Sequence, residues 1–144
     1  DPNIVYRLDR EYPDAEFNAL FDAAQARLGL DREAMYGAFA EAFLRSALRT
    51  FPRFLDDAAG VRDLLRRQPA IHSSFAAGLR DPADRRRVVD KFVTVSDADD
   101  LIVDYRSANR MCGLYHALAH VCAAHYGERI SVTTEHCAAK LGSE

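Results

Sequence analysis

Two short stretches of the chain combine residue types that could do chemistry. The first is centred on His72, which lies within an apolar helical stripe made by Val61, Leu65, Gln68, His72, Phe75 and Leu79. A neutral imidazole in such a stripe is either a core residue with its nitrogens satisfied or a ligand to a metal, haem iron included. The second is Tyr105-Arg106-Ser107-Ala108-Asn109-Arg110, at an expected strand-to-helix junction. A phenol, a hydroxyl and a guanidinium converge there near a helix start. Free N–H groups and the helix dipole attract anions at such a start, and Arg adds a bidentate partner for a carboxylate. The plainer alternative is that Ser107 caps the helix, with a packed Tyr and a solvated Arg.

Other clusters carry less. Cys112, His116 and His120 recur at every fourth residue, a spacing that can place metal ligands along one helix face, but no carboxylate accompanies them. Arg80, Arg85, Arg86 and Arg87 form a basic cluster that reads as a solvated loop between elements. There is no nucleophile elbow, Gly-rich phosphate loop or HExxH motif. An enzyme is therefore not expected.

The elements that must position these residues follow from the pattern. After a lead-in containing Ile4-Val5-Tyr6, a first helix is expected from Asp14, with Phe17, Leu20, Phe21, Ala24 and Leu28 at helical spacing and Gly29 as its stop. Asp31 should cap a second helix containing Met35, Phe39, Phe43 and Ala47, which Pro52 disturbs. A third helix is expected from Val61 to Leu79, kinked at Pro69 and stopped by Asp81-Pro82. Val88 to Val95 and Leu101 to Tyr105 read as a hairpin around Ser96-Asp97-Ala98-Asp99. A long helix should run from Ser107 to His125 and end at Gly127, and Arg129 to Thr134 reads as another strand. The order predicts an α+β fold, a helical part beside an antiparallel sheet with one long inserted helix.

Composition limits the classes further. The 144 residues, 49% hydrophobic and 28% charged, suit one domain over residues 1–144. A net charge of -3 makes nucleic acid an unexpected partner. No apolar run approaches a membrane span. Three cysteines without a CxxC pair point to a reducing cytoplasm. The chain begins Asp1-Pro2 without Met, so a native N-terminal piece is expected to be missing.

Taken in order, several stretches resemble the H-NOX (haem–nitric oxide/oxygen binding) family. They are Tyr12 to Phe17, Phe51-Pro52-Arg53-Phe54-Leu55, Val61 to Leu65 ahead of Ala70-Ile71-His72, Tyr105-Arg106-Ser107, Gly113-Leu114, His125-Tyr126-Gly127 and Arg129 to Cys137. The resemblance implies a sensor of diatomic gas in which His72 binds the iron of haem b. It implies that Tyr105 and Ser107, with Arg110, hold the propionates, and that Val61, Leu65, Phe75, Leu114 and Leu118 wall the pocket. The family's arginine falls two residues after the serine. Here that place is Asn109 and the arginine follows at Arg110, about 100° further round if the segment is helical. The family's first helices, which cover the distal face, are expected to precede the sequence given.

Further expectations follow from the resemblance. Gas binding should weaken the iron–His72 bond and signal to a cyclase, histidine kinase or chemotaxis protein. Leu114 stands about where oxygen-binding members carry a tyrosine, so nitric oxide and carbon monoxide should be favoured over oxygen. Some members hold zinc through cysteines and a histidine. Cys112, His136 and Cys137 would need a fourth ligand from beyond Glu144, so zinc is not the expected cofactor. The alternative is a haem-free domain of the same fold that binds another small ligand or a signalling protein.

Overall fold

A computed structural model describes residues 12–107 and 109–137; the lead-in with Ile4-Val5-Tyr6 lies outside them. Seven helices and a two-stranded antiparallel sheet among these residues give the expected α+β class. The chain divides into two compact units: Asp14–Leu65 with the described part of Ser107–Glu144, and Arg66–Arg106 with the described end of Asp1–Pro13.

The first unit is helical. Helix α1 (Asp14–Leu28) ends where Gly29 takes a left-handed φ of 65°, which glycine adopts without a Cβ clash. Asp31 accepts from the Ala34 N–H at 2.8 Å and starts α2 (Arg32–Thr50), as expected. Phe51 ends α2, and Pro52 opens the short α3 (Pro52–Asp56) because its fixed φ suits a first helical position. Helix α4 (Val61–Arg66) follows, and the last helix, α7 (Cys112–His125), packs along α2. Phe21, Met35, Met111 and Leu114 form a buried cluster, with Phe17, Ala24, Leu30, Tyr36, Phe39 and Leu118 packed on it. Full burial of each large apolar side chain contributes about 1.5–3 kcal/mol.

The second unit carries the sheet. Helices α5 (Gln68–Ala76) and α6 (Pro82–Val89) pack together, and α5 also rests on β1 (Phe92–Asp97). Strand β2 (Leu101–Tyr105) pairs antiparallel with β1, Phe92 opposite Tyr105 and Thr94 opposite Val103. Val95 is the extra residue of a bulge, after which Ser96 faces Ile102 and Asp97 faces Leu101.

Four expectations need correction. The helix expected over Val61 to Leu79 is two helices, broken at Arg67, with Pro69 in the first turn of α5. Val88 and Val89 belong to a helix, not to the strand. Asp81 accepts from the Ala83 N–H at 2.6 Å and Pro82 follows it, so the pair that stops one helix also starts the next. The helix expected from Ser107 begins only at Cys112. A turn precedes it, the Arg110 N–H donating to the Ser107 carbonyl at 3.3 Å and Arg110 taking a φ of 51°. Arg129 to Thr134 is not a strand. It doubles back beside α7, where the Glu128 N–H donates to Ala123 at 2.9 Å and Thr134 Oγ1 meets His116 Nε2 at 2.7 Å. Alternating composition makes a strand only where a neighbouring edge supplies hydrogen bonds.

Candidate functional site

His72 sits on α5, a helix short enough that its position depends on packing against α6 and β1. Its ring lies 4.6 Å from that of Phe92, tilted by 49°, and 6.4 Å from that of Phe75, edge on. Burial, and to a lesser degree the charge of Lys91, lowers its pKa from 6.5 to about 4. The imidazole is therefore neutral at physiological pH, the form that offers a nitrogen lone pair to a metal.

Tyr105 closes the sheet opposite Phe92. The two rings stack with centroids 5.0 Å apart and 21° between planes. His72 and Tyr105, 33 positions apart in the chain, thus pack on the same phenyl ring. The Arg106 N–H donates to the Lys91 carbonyl at 2.9 Å and extends the ladder beyond that pair. Phe75 is 36% exposed, so it flanks His72 without being enclosed.

The remaining candidates belong to the helical unit. Leu114 is buried against Phe21, Met35 and Met111, with Leu118 at its edge. Leu65 is half-buried, and Val61 is almost fully enclosed. Ser107 is half-buried and its carbonyl accepts from the Arg110 N–H, while the Arg110 side chain is exposed. The expected rotation of Arg110 about a helix does not arise, because these residues form a turn. Beside them Asn109 holds a buried side-chain oxygen without a hydrogen-bond partner among the described residues.

Among the described residues no three His, Cys, Asp or Glu side chains are grouped to hold a metal ion. Neither Cys112, His116 and His120 nor Cys112, His136 and Cys137 form such a set. Cys112, Cys122 and Cys137 are in no disulfide, and burial pushes the Cys122 thiol pKa up. No helix among the described residues is long and apolar enough to cross a membrane.

Two residues were not singled out from sequence. Phe92 is 7% exposed and touches both chemical candidates. Its only sequence signal is that it is the first aromatic residue of the strand. Glu128 follows α7, and its Oε1 accepts from the Val61 N–H at 3.2 Å at the head of α4. Tyr126 O–H donates to the Leu55 carbonyl at 2.7 Å nearby, and burial, then Cys122 and the carboxylates of Asp56, Asp63 and Glu128, raises its pKa.

The neutral imidazole of His72 suits an iron ligand. Comparison with protein families agrees. The haem-NO-binding family matches residues 1–134. Neither the curated proteins nor the solved structures compared with the chain give a match. The chain belongs to the haem-NO-binding family, whose members are haem-binding sensor domains with nitric oxide as ligand.

Proposed function

We propose, from that membership, that this domain is a haem b sensor of diatomic gas with His72 as the iron ligand. The observation that carries the reading is the state of His72: half-buried, neutral, and resting on a ring shared with Tyr105. In this reading Tyr105, Ser107 and Arg110 would be the residues for the propionates, and Val61, Leu65, Phe75, Leu114 and Leu118 those for apolar contact with the haem. When bound, haem would supply the iron centre for the gas, and His72 would be the residue that holds the iron and through which gas binding would be felt.

The chain's own residues then set the response. Helix α5 is nine residues long and is separated from α4 at Arg67, so a change at His72 would act on a short element with its own ends. A signal requires that the ligand have different affinities for two states of that element. The receiver is a cyclase, histidine kinase or chemotaxis protein. The apolar surroundings of Leu114 supply no donor from that residue to a bound oxygen, which favours nitric oxide and carbon monoxide. The domain has no catalytic role in this reading and works in the reducing cytoplasm, in keeping with its three cysteines outside any disulfide.

Reconstitution with haemin tests the proposal. The expected result is a Soret band that shifts with nitric oxide and that His72→Ala removes or reshapes. A chain that retains no haem would instead support a haem-free domain binding another ligand or a signalling protein. That second reading is favoured by the exposed side chain of Arg110 and the turn that carries it.

A further inference from the structure

Phe92 is buried at the head of β1, and its place is fixed from the backbone. It pairs with Tyr105 in the ladder, and the bond from Arg106 to Lys91 closes that end. The ladder therefore fixes its Cα and the direction of its Cβ, and the rings of His72 and Tyr105 pack against its side chain. The imidazole of His72 is 4.6 Å away on a helix packed against the same strand. A histidine side chain turns about two bonds, and a flat aromatic wall at this distance excludes rotamers that would cross it. Phe92 also stacks on Tyr105.

From this the geometry points to Phe92 as a positioning residue: it fixes the ring plane of His72 and ties that ring mechanically to Tyr105. Phe92 has no titrating or ligating atom, so it acts only through its neighbours. A displacement of α5 at His72 presses on Phe92 and reaches the β1–β2 pair at Tyr105. An aliphatic side chain would keep the packing but would not hold a ring plane. The consequence for gas sensing rests on the reading of His72 as iron ligand; the ring contact itself does not.

The test begins with the chain free of haem, carrying isotope-labelled histidine and tyrosine, and uses nuclear magnetic resonance. Three-bond couplings in the unmodified chain should report one His72 rotamer. Phe92→Leu keeps an apolar side chain in the strand, and the single rotamer should be lost to averaging over two or more. Phe92→Tyr keeps the ring and should restore it. His72→Ala should move the Tyr105 ring resonances, and that response should vanish when Phe92→Leu is also present. If Phe92→Leu does not give a folded chain, Phe92→Met provides the same comparison. A single His72 rotamer in the aliphatic variant, or an undiminished Tyr105 response, would overturn the assignment. With haem added, the iron–imidazole vibration should broaden in Phe92→Leu. A chain that takes up no haem yet shows the rotamer response keeps Phe92 in this role and loses the sensor.

Discussion

The imidazole of His72 rests 4.6 Å from the ring of Phe92, and burial, with a smaller contribution from the charge of Lys91, keeps it from gaining a proton. Its folded pKa is about 4, against 6.5 for an ordinary histidine. Between those values the unfolded chain binds a proton that the folded chain does not, so acid favours unfolding. The stabilisation is present at and above pH 6.5 and is lost as pH falls to about 4. With part of the ring facing solvent, the loss is on the order of 1–2 kcal/mol. Urea unfolding of the haem-free chain at intervals from pH 7 to 4 should show this slope, and His72→Phe should flatten it. Equal slopes in the two proteins would show that His72 is not held neutral.

Gly113 opens α7 directly beneath Tyr36. A Cβ at this position would lie 2.7 Å from Tyr36 Cε2 and 2.9 Å from Cδ2. The Tyr36 ring is packed against the core cluster and stands 5.6 Å from the ring of Phe21, so it has little room to retreat. Gly113→Ala should therefore destabilise the chain by about 1–3 kcal/mol, despite alanine's better helix propensity. Replacing Tyr36 with Leu in the same chain should recover most of the loss. A stabilised Gly113→Ala measured in urea would mean that the ring gives way freely.

Glu128 supplies a hydrogen bond that α4 cannot make for itself. Its carboxylate accepts from the Val61 N–H, and Gly60 leaves room for it, since a Cβ there would stand 2.2 Å from Oε1. Glu128→Ala should cost about 1 kcal/mol and speed hydrogen exchange at Val61. Glu128→Gln keeps an acceptor and should retain most of the stability. Gly60→Ala should resemble Glu128→Ala, because the carboxylate must swing off the N–H. Unchanged exchange at Val61 in all three would remove this contact from the account.

What was legible in the sequence was set by local chemistry. Asp31 and Gly29 bound their helices as read, because a cap and a left-handed glycine act within a few residues. The hairpin and its return strand also followed from composition. The start of α7 did not, since the left-handed turn at Arg110 has no glycine to announce it. Arg129 to Thr134 was misread because alternation cannot say whether a sheet edge or a helix will lie alongside. His72 and Tyr105 were legible as separate candidates, whereas the ring joining them was not. Phe92 owes its role to register, and register is settled only when the strands pair.

In the proposed reading, gas selectivity rests on Leu114, whose side chain offers no hydrogen-bond donor to a bound oxygen. Phe21, Met35 and Met111 are buried with Leu114 and carry no side-chain donor, and the Tyr36 hydroxyl packed on the same cluster accepts from Arg32 at 3.3 Å. Ferrous protein in air should oxidise or stay without bound oxygen, while nitric oxide and carbon monoxide should each shift the Soret band. A stable oxygen complex in air-equilibrated solution would contradict this.

In the proposed reading, Arg110 sets stability against ligand binding. Its φ of 51° is a conformation in which an L side chain crowds the backbone, costing roughly 1–2 kcal/mol. Arg110→Gly removes that strain, and the extra freedom of glycine in the unfolded chain takes back about 0.5–1 kcal/mol. The variant should therefore be more stable by about 0.5–1 kcal/mol in urea. The same change deletes the guanidinium proposed to meet a propionate, so haem affinity should fall by about tenfold. Arg110→Lys keeps both the charge and the strain, and should leave stability unchanged while weakening haem less than glycine does. A glycine variant that gains stability and binds haem as tightly as before would mean that the turn at Arg110 exists for the fold and not for the ligand.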